Sequence, residues 1–176
     1  MKIRNNYRNL NKIPIFYQNY IFSFINRLKE NFSEKLLSVI LFGSVSRRKL
    51  LKSSDFDLLL IFSNEITNTF LLDKKIADLT IEFYKNNELK NEKGIKVYPA
   101  IQTIVLSLME LDIFRTLFYD IATDEIIIFD KDDPGLKFVK KIKNRIKEKE
   151  LKRVYLGDND FYWKRKKIRF EEIVEL

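Results

Sequence analysis

Two short apolar runs constrain the fold more than any other feature of the chain. Residues 36–42 read LLSVILF and residues 57–62 read DLLLIF. Each is too short for a buried helix and too uniformly apolar for a half-solvated strand. Both therefore fit strands covered on two faces. A sheet buried on both sides needs helices above and below it, and the rest of the sequence supplies them. Residues 65–91 carry Leu72, Ile76, Leu79 and Phe83 along one helical face, and residues 108–121 read as a further helix. Residues 95–106 and 125–130 read as a third and a fourth strand. Pro134 then opens a basic helix with the stripe Phe138, Ile142 and Ile146. The expected class is α/β (α+β), a small mixed sheet flanked by helices with a basic C-terminal helical extension. Its boundaries are residues 1–130 for the domain and 131–176 for an extension packed on it.

The first 30 residues imitate a secretion signal, because Lys2, Arg4, Arg8 and Lys12 precede a largely apolar stretch. No small-residue cleavage site follows, and the stretch contains Pro14, Gln18, Asn19 and Asn26. Tyr17, Ile21, Phe24 and Leu28 instead recur at helical spacing, with Tyr20 and Ile25 beside them. The reading is an amphipathic helix of a soluble, cytoplasmic protein, with no membrane partner. Tyr7, Tyr17, Tyr20 and Phe24 are read as core.

Composition removes whole chemistries. The chain has no Cys and no His, so thiolate nucleophiles, Cys/His zinc sites and histidine bases are excluded. A metal held by side chains would be a hard cation on carboxylates. The formal charge of +8 is concentrated: residues 131–169 hold 15 basic and 6 acidic side chains, and the remainder is close to neutral. Such a segment suits a polyanion as well as plain solvation. Lys140, Lys141, Trp163, Lys164 and Arg165 are its nucleic-acid candidates, because an aromatic side chain is interleaved with bases at 162–167. Acids at Asp120, Asp124, Glu125 and Asp130 read as capping groups, since the EF-hand spacing is missing.

The stretch between the two apolar runs carries the chemistry. Asp55 and Asp57 stand two apart at the head of a strand, which puts both carboxylates on one face, about 7 Å apart at their Cα atoms. Two such charges repel each other and suit a shared cation better than a core. Gly43-Ser44 ends the preceding strand and opens a helical turn. Its backbone N–H groups and the Ser44 hydroxyl make a seat for phosphate, and the missing Gly side chain allows close approach.

Gly43-Ser44, ten residues and then Asp55-Phe56-Asp57 resembles the DNA polymerase beta-like nucleotidyltransferase superfamily, in particular its small stand-alone archaeal-type members. The family pattern reads Gly-Ser-x-Ala-Arg-Gly, five residues, Ser-Asp-x-Asp. Gly43, Ser44, Arg47, Ser54, Asp55 and Asp57 fall at matching positions. The resemblance implies that Gly43 and Ser44 hold an NTP's phosphates, with Arg47 and Ser54 contributing to the nucleotide site. It implies Mg²⁺ or Mn²⁺ on Asp55 and Asp57, the catalytic pair, and transfer of NMP to a hydroxyl of RNA, a protein or a small molecule. The stretch 120–130 and Tyr162-Trp163 also resemble the ends of the archaeal members. Ser46 replaces the usual Ala and Arg48 the usual Gly. The third metal carboxylate that the family carries on the strand after the long helix is missing from 95–106, where Gln102 and Thr103 stand nearest. Glu82, Glu110 and Asp112 are its alternative sources. That gap supports a second reading, a catalytically weak nucleotide- or RNA-binding module or the antitoxin-like partner of a separate toxin.

Overall fold

The computed structural model describes residues 7–47, 55–65, 69–87, 89–90, 94, 96–97, 99–157 and 160–165. Among them, helix α1 (Ile15–Phe32) leads into strand β1 (Leu36–Phe42), the short helical turn α2 (Gly43–Ser46) and strand β2 (Phe56–Phe62). Helix α3 (Thr69–Asn86), the two-residue strands β3 (Leu89–Lys90) and β4 (Lys96–Val97), and strand β5 (Ile101–Ser107) follow. Helix α4 (Leu117–Asp124), strand β6 (Ile126–Asp130), helix α5 (Pro134–Glu148) and the strands β7 (Leu151–Tyr155) and β8 (Phe161–Arg165) complete the order.

The main sheet runs β5-β2-β1-β6, with β2 parallel to β5 and the other pairs antiparallel. Alternation along β1 and β2 sends side chains into two separate cores, which explains their unbroken apolarity. Val39, Leu41, Leu58 and Leu60 join Ile21, Phe24, Leu28, Ile76 and Phe83 from α1 and α3. Ile40, Leu59 and Ile61 join Phe118, Ile121, Phe138 and Ile142 from α4 and α5. The basic helix thus belongs to the same core as the sheet. Asp130, 1% exposed, fixes its start by accepting hydrogen bonds from the backbone N–H groups of Gly135 (2.9 Å) and Leu136 (3.1 Å).

Four expectations are revised in detail. The helix read over 65–91 spans Thr69–Asn86. Asn86 and Asn87 donate side-chain hydrogen bonds to the carbonyls of Glu82 and Phe83, and the chain turns into the β3–β4 ribbon. The strand read over 95–106 is split, since Pro99 has no N–H for a ladder, and pairing resumes at Ile101. The helix read over 108–121 becomes a 3₁₀ turn (Glu110–Asp112) followed by α4. Between them Phe114 leaves the helical path to pack on Phe118, Tyr119 and the Arg145 guanidinium. The extension, read as helical, is α5 followed by the β7–β8 hairpin. No helix among the described residues is long and apolar enough to cross a membrane.

Candidate active site

One end of the sheet gathers the motif from three neighbouring strands. Phe42, the last residue of β1, pairs with Asp57 near the start of β2, and Asp57 in turn pairs with Gln102 of β5. Asp57 continues the Leu59–Ile61 stripe, so its carboxylate lies on the α4/α5 side of the sheet, where the apolar stripe reaches the sheet end. Asp55 precedes it by two residues on the same side.

Gly43 has φ +76, a backbone conformation in which a Cβ is strained, and its Cα lies against Asp57. A Cβ built there would stand 3.0 Å from Asp57 Cγ and closer still to Oδ2. Glycine is therefore required twice, by backbone and by space. The turn is closed by the Ser46 hydroxyl, which donates to Gly43 O at 2.8 Å, and by Arg47 N to the same oxygen at 3.3 Å. The Ser that replaces the usual Ala is thus a tie within the turn.

Burial pushes the Asp57 carboxyl above its ordinary value, the negative charge of Asp55 adds to this, and Arg47 opposes it. A half-buried, mutually repelling pair of oxygen donors is what a hard divalent cation would relieve. Gln102 Nε2 donates to Asp55 Oδ2 at 3.1 Å, so a neutral amide sits beside the pair. Among the described residues no three acids are grouped to hold a metal. Glu82 lies on the exposed side of α3, paired with Arg27. Glu110 accepts from Ser107 N at 2.8 Å, and Ser107 lies five residues along β5 from Gln102, about 17 Å away. Asp112 pairs with Lys141 at 2.6 Å. None of the three reaches the Asp55–Asp57 end.

Of the other candidates, Ser54 and Arg48 lie outside the described residues. Arg47 is half-buried, and its Nη1 donates to Asp124 Oδ2 at 2.7 Å. Lys140 and Lys164 are exposed, as is Lys141 beyond its pair with Asp112. Trp163 and Arg165 occupy the alternate hairpin face from Lys164. Trp163 packs on Tyr119, and its indole N–H donates to Asp120 at 2.8 Å, so its surroundings are those of a docked side chain. The sequence reading missed Asp124 and Arg153 as partners of the motif. The one signal was Asp120 and Asp124 standing four apart on a helix.

With this geometry in view, the sequence matches the nucleotidyltransferase domain family over residues 23–174. The chain belongs to that family. It is also 30% identical over 147 residues to a "putative protein adenylyltransferase" of Methanocaldococcus jannaschii, covering 83% of this chain and 92% of that one. Among solved structures it is similar to a "putative nucleotidyltransferase" of Sulfolobus solfataricus, with 19% identity and TM-score 0.40 over 62% of this chain and 76% of that one. A chain from the complex of the tri-AMPylated Shewanella oneidensis HEPN toxin with an MNT antitoxin gives 16% identity and TM-score 0.45, over 74% and 87% of the two chains. The matched span of this nucleotidyltransferase domain contains the Gly43 turn and the Asp55–Asp57 pair.

Proposed function

We propose that this nucleotidyltransferase moves an adenylyl group from ATP onto a hydroxyl of a protein acceptor. The observation that carries the reading is the contact of Gly43 with Asp57, which puts a glycine turn and a carboxylate pair at one sheet end. The relative with 30% identity over most of both chains supports ATP as the nucleotide and a protein as the acceptor. An ATP-dependent reaction also suits the cytoplasm.

The first N–H groups of a helical turn have no acceptor within the helix, so those of the Gly43–Ser46 turn suit phosphate oxygens. Asp55 and Asp57 fit Mg²⁺ or Mn²⁺, the remaining positions falling to water and to the nucleotide's own phosphates. When bound, the cation supplies neutralisation of the charge that builds on the α-phosphate and on departing pyrophosphate. Ser46 holds the turn closed, and Gln102 restrains Asp55 through its amide. In the reaction the acceptor oxygen bonds to the α-phosphorus, the bond to the bridging oxygen breaks, and pyrophosphate leaves with that electron pair. The hydroxyl proton passes to water.

Incubation with α-labelled ATP, Mg²⁺ or Mn²⁺ and cell proteins tests this. Label on a protein band, lost in Asp55→Ala and Asp57→Ala, is the expected result. Labelling no stronger than in those variants overturns it, and label on RNA alone reassigns the acceptor to the nucleic acid that Lys140, Lys141, Lys164 and Arg165 suggest.

One observation favours a second reading. The acid pair stands beside an amide with no third acid grouped with it among the described residues, which suits a nucleotide-binding module or an antitoxin-like partner of a toxin protein. Calorimetry showing ATP binding without turnover would support it.

A further inference from the structure

Arg47 ends the motif turn, yet its charge is already spoken for. Asp124, the last residue of α4, accepts Arg47 Nη1 on Oδ2 and Arg153 Nη1 on Oδ1, both at 2.7 Å. Arg153, on β7, also donates from Nη2 to Asp120 Oδ1 at 3.1 Å, and the same oxygen accepts the Trp163 indole N–H from β8. The Asp124 and Arg153 side chains are 6% and 7% exposed and Arg47 is 19% exposed. The Phe161 ring lies 4.1 Å from the Arg153 guanidinium carbon and 5.9 Å from that of Arg47. Two arginines and two aspartates balance in charge and tie three distant segments together: the motif turn, α4 and the C-terminal hairpin.

A carboxylate enclosed by two guanidinium groups has both oxygens in use. A phosphate that drew Arg47 Nη1 out of this contact would strip a buried aspartate of one partner, which is costly where little water can replace it. Held in place, the same contact sets where the turn's last residue sits, and Arg47 N returns to Gly43 O. We propose that the β7–β8 hairpin is a working part of the nucleotide site, with Arg153 and Asp124 holding Arg47 so that Arg47 is a positioning residue for the Gly43–Ser46 turn and not a phosphate ligand. The proposal rests on the reading of that turn as the ATP seat.

The two roles of Arg47 predict opposite signs for one variant. Asp124→Asn keeps the shape of the carboxylate and removes its charge. If Arg47 were a phosphate ligand restrained by Asp124, this change would free its charge and tighten ATP binding. Positioning predicts the reverse: ATP affinity by calorimetry falls about tenfold. Arg47→Gln falls by a similar factor, and the double variant is no weaker than either single one. Arg153→Met weakens ATP in the same direction and Arg153→Lys recovers part of the loss. Tighter or unchanged ATP binding by Asp124→Asn overturns the proposal, as does additivity of the two single variants. Hydrogen exchange of the 43–47 backbone supplies a readout without nucleotide. Faster exchange there in Asp124→Asn and Arg153→Lys, with α1 and α3 unchanged, supports positioning, whereas unchanged exchange refutes it. If the wild-type chain binds no ATP while exchange at 43–47 responds as expected, the ATP seat fails and the coupling stands.

Discussion

Gly43→Ala is the most exacting test of the site's geometry, because its cost divides into two parts that can be measured separately. At φ +76 a Cβ costs about 1–2 kcal/mol through the backbone alone. The same Cβ would stand 3.0 Å from Asp57 Cγ and nearer its Oδ2, so the carboxylate must leave its rotamer for about 0.5–1.5 kcal/mol more. The total, about 1.5–3.5 kcal/mol, corresponds to roughly 3–14 °C in Tm for a chain of this size. All three of the atoms nearest to the built Cβ belong to Asp57, and truncation to Ala leaves only its Cβ, at 3.3 Å. In an Asp57→Ala background, Gly43→Ala should therefore cost only the backbone part. Urea denaturation of the four proteins gives the coupling, expected at about 1 kcal/mol. Asp57→Ala by itself should cost little in the free protein or stabilise it. Burial and Asp55 raise the Asp57 pKa, so the fold holds that proton more tightly than the unfolded chain does. Its contribution is complete below the ordinary value and is lost as pH rises through the raised one, leaving an unfavourable charge at neutrality. An equal cost of Gly43→Ala in both backgrounds would falsify the contact on which the proposed function stands.

Other perturbations probe different parts of the chain. Burial pushes Tyr7 up to about 12 and also raises Tyr17, Tyr20 and Tyr84, so the stability they contribute is complete below pH 10 and is lost as pH rises toward 12. With no His or Cys, the urea midpoint should stay level from pH 6 to 9 and fall above 10, and a midpoint that holds to pH 12 would contradict this. Gln102→Glu adds a third carboxylate beside Asp55 and should tighten Mn²⁺ binding without nucleotide about tenfold or more, read by electron paramagnetic resonance; equal affinities would show that residue 102 does not face the cation. Asp130→Ala removes the acceptor for Gly135 N and Leu136 N and should cost about 1–3 kcal/mol in urea, with Asp130→Asn losing less. A loss below 0.5 kcal/mol would mean that α5 starts without this cap.

What could be read from the sequence follows the range of the interaction responsible. The apolar runs at 36–42 and 57–62 announced strands because burial on both faces leaves its mark within a single strand. Gly43, Asp55 and Asp57 were legible for the same reason, since turn and strand head lie within 15 residues of one another. Element ends were less legible. The close of α3 depends on Asn86 and Asn87 turning back onto carbonyls, and the break before β5 on a single missing N–H at Pro99. Residues 108–113 have apolar spacing compatible with a helix, yet Phe114 is drawn off by Arg145, 31 positions away, which no local pattern records.

The site's charges show the same division more sharply. Asp120 and Asp124 look like capping acids and Arg153 like one of 15 bases in a solvated tail, because each partner is distant in sequence from the next. Folded, Asp124 and Arg153 have side chains only 6% and 7% exposed beside the motif, and the basic excess of the tail divides into two kinds. Arg153 faces inward and is balanced by Asp120 and Asp124, while Lys152 and Lys164 pair across the hairpin on its exposed face. Like charges placed directly opposite one another cost stability in a two-stranded ribbon. The inward Arg153 cluster offsets that cost by anchoring the hairpin, and the outward lysines are left facing solvent beside the exposed Tyr162. A hairpin anchored to the motif turn on one face and basic on the other puts a cationic surface on the element that reaches the Gly43–Ser46 turn through Arg153, Asp124 and Arg47. The basic charge that faces outward there is left to solvent, while the inward Arg153 is taken up by the fold.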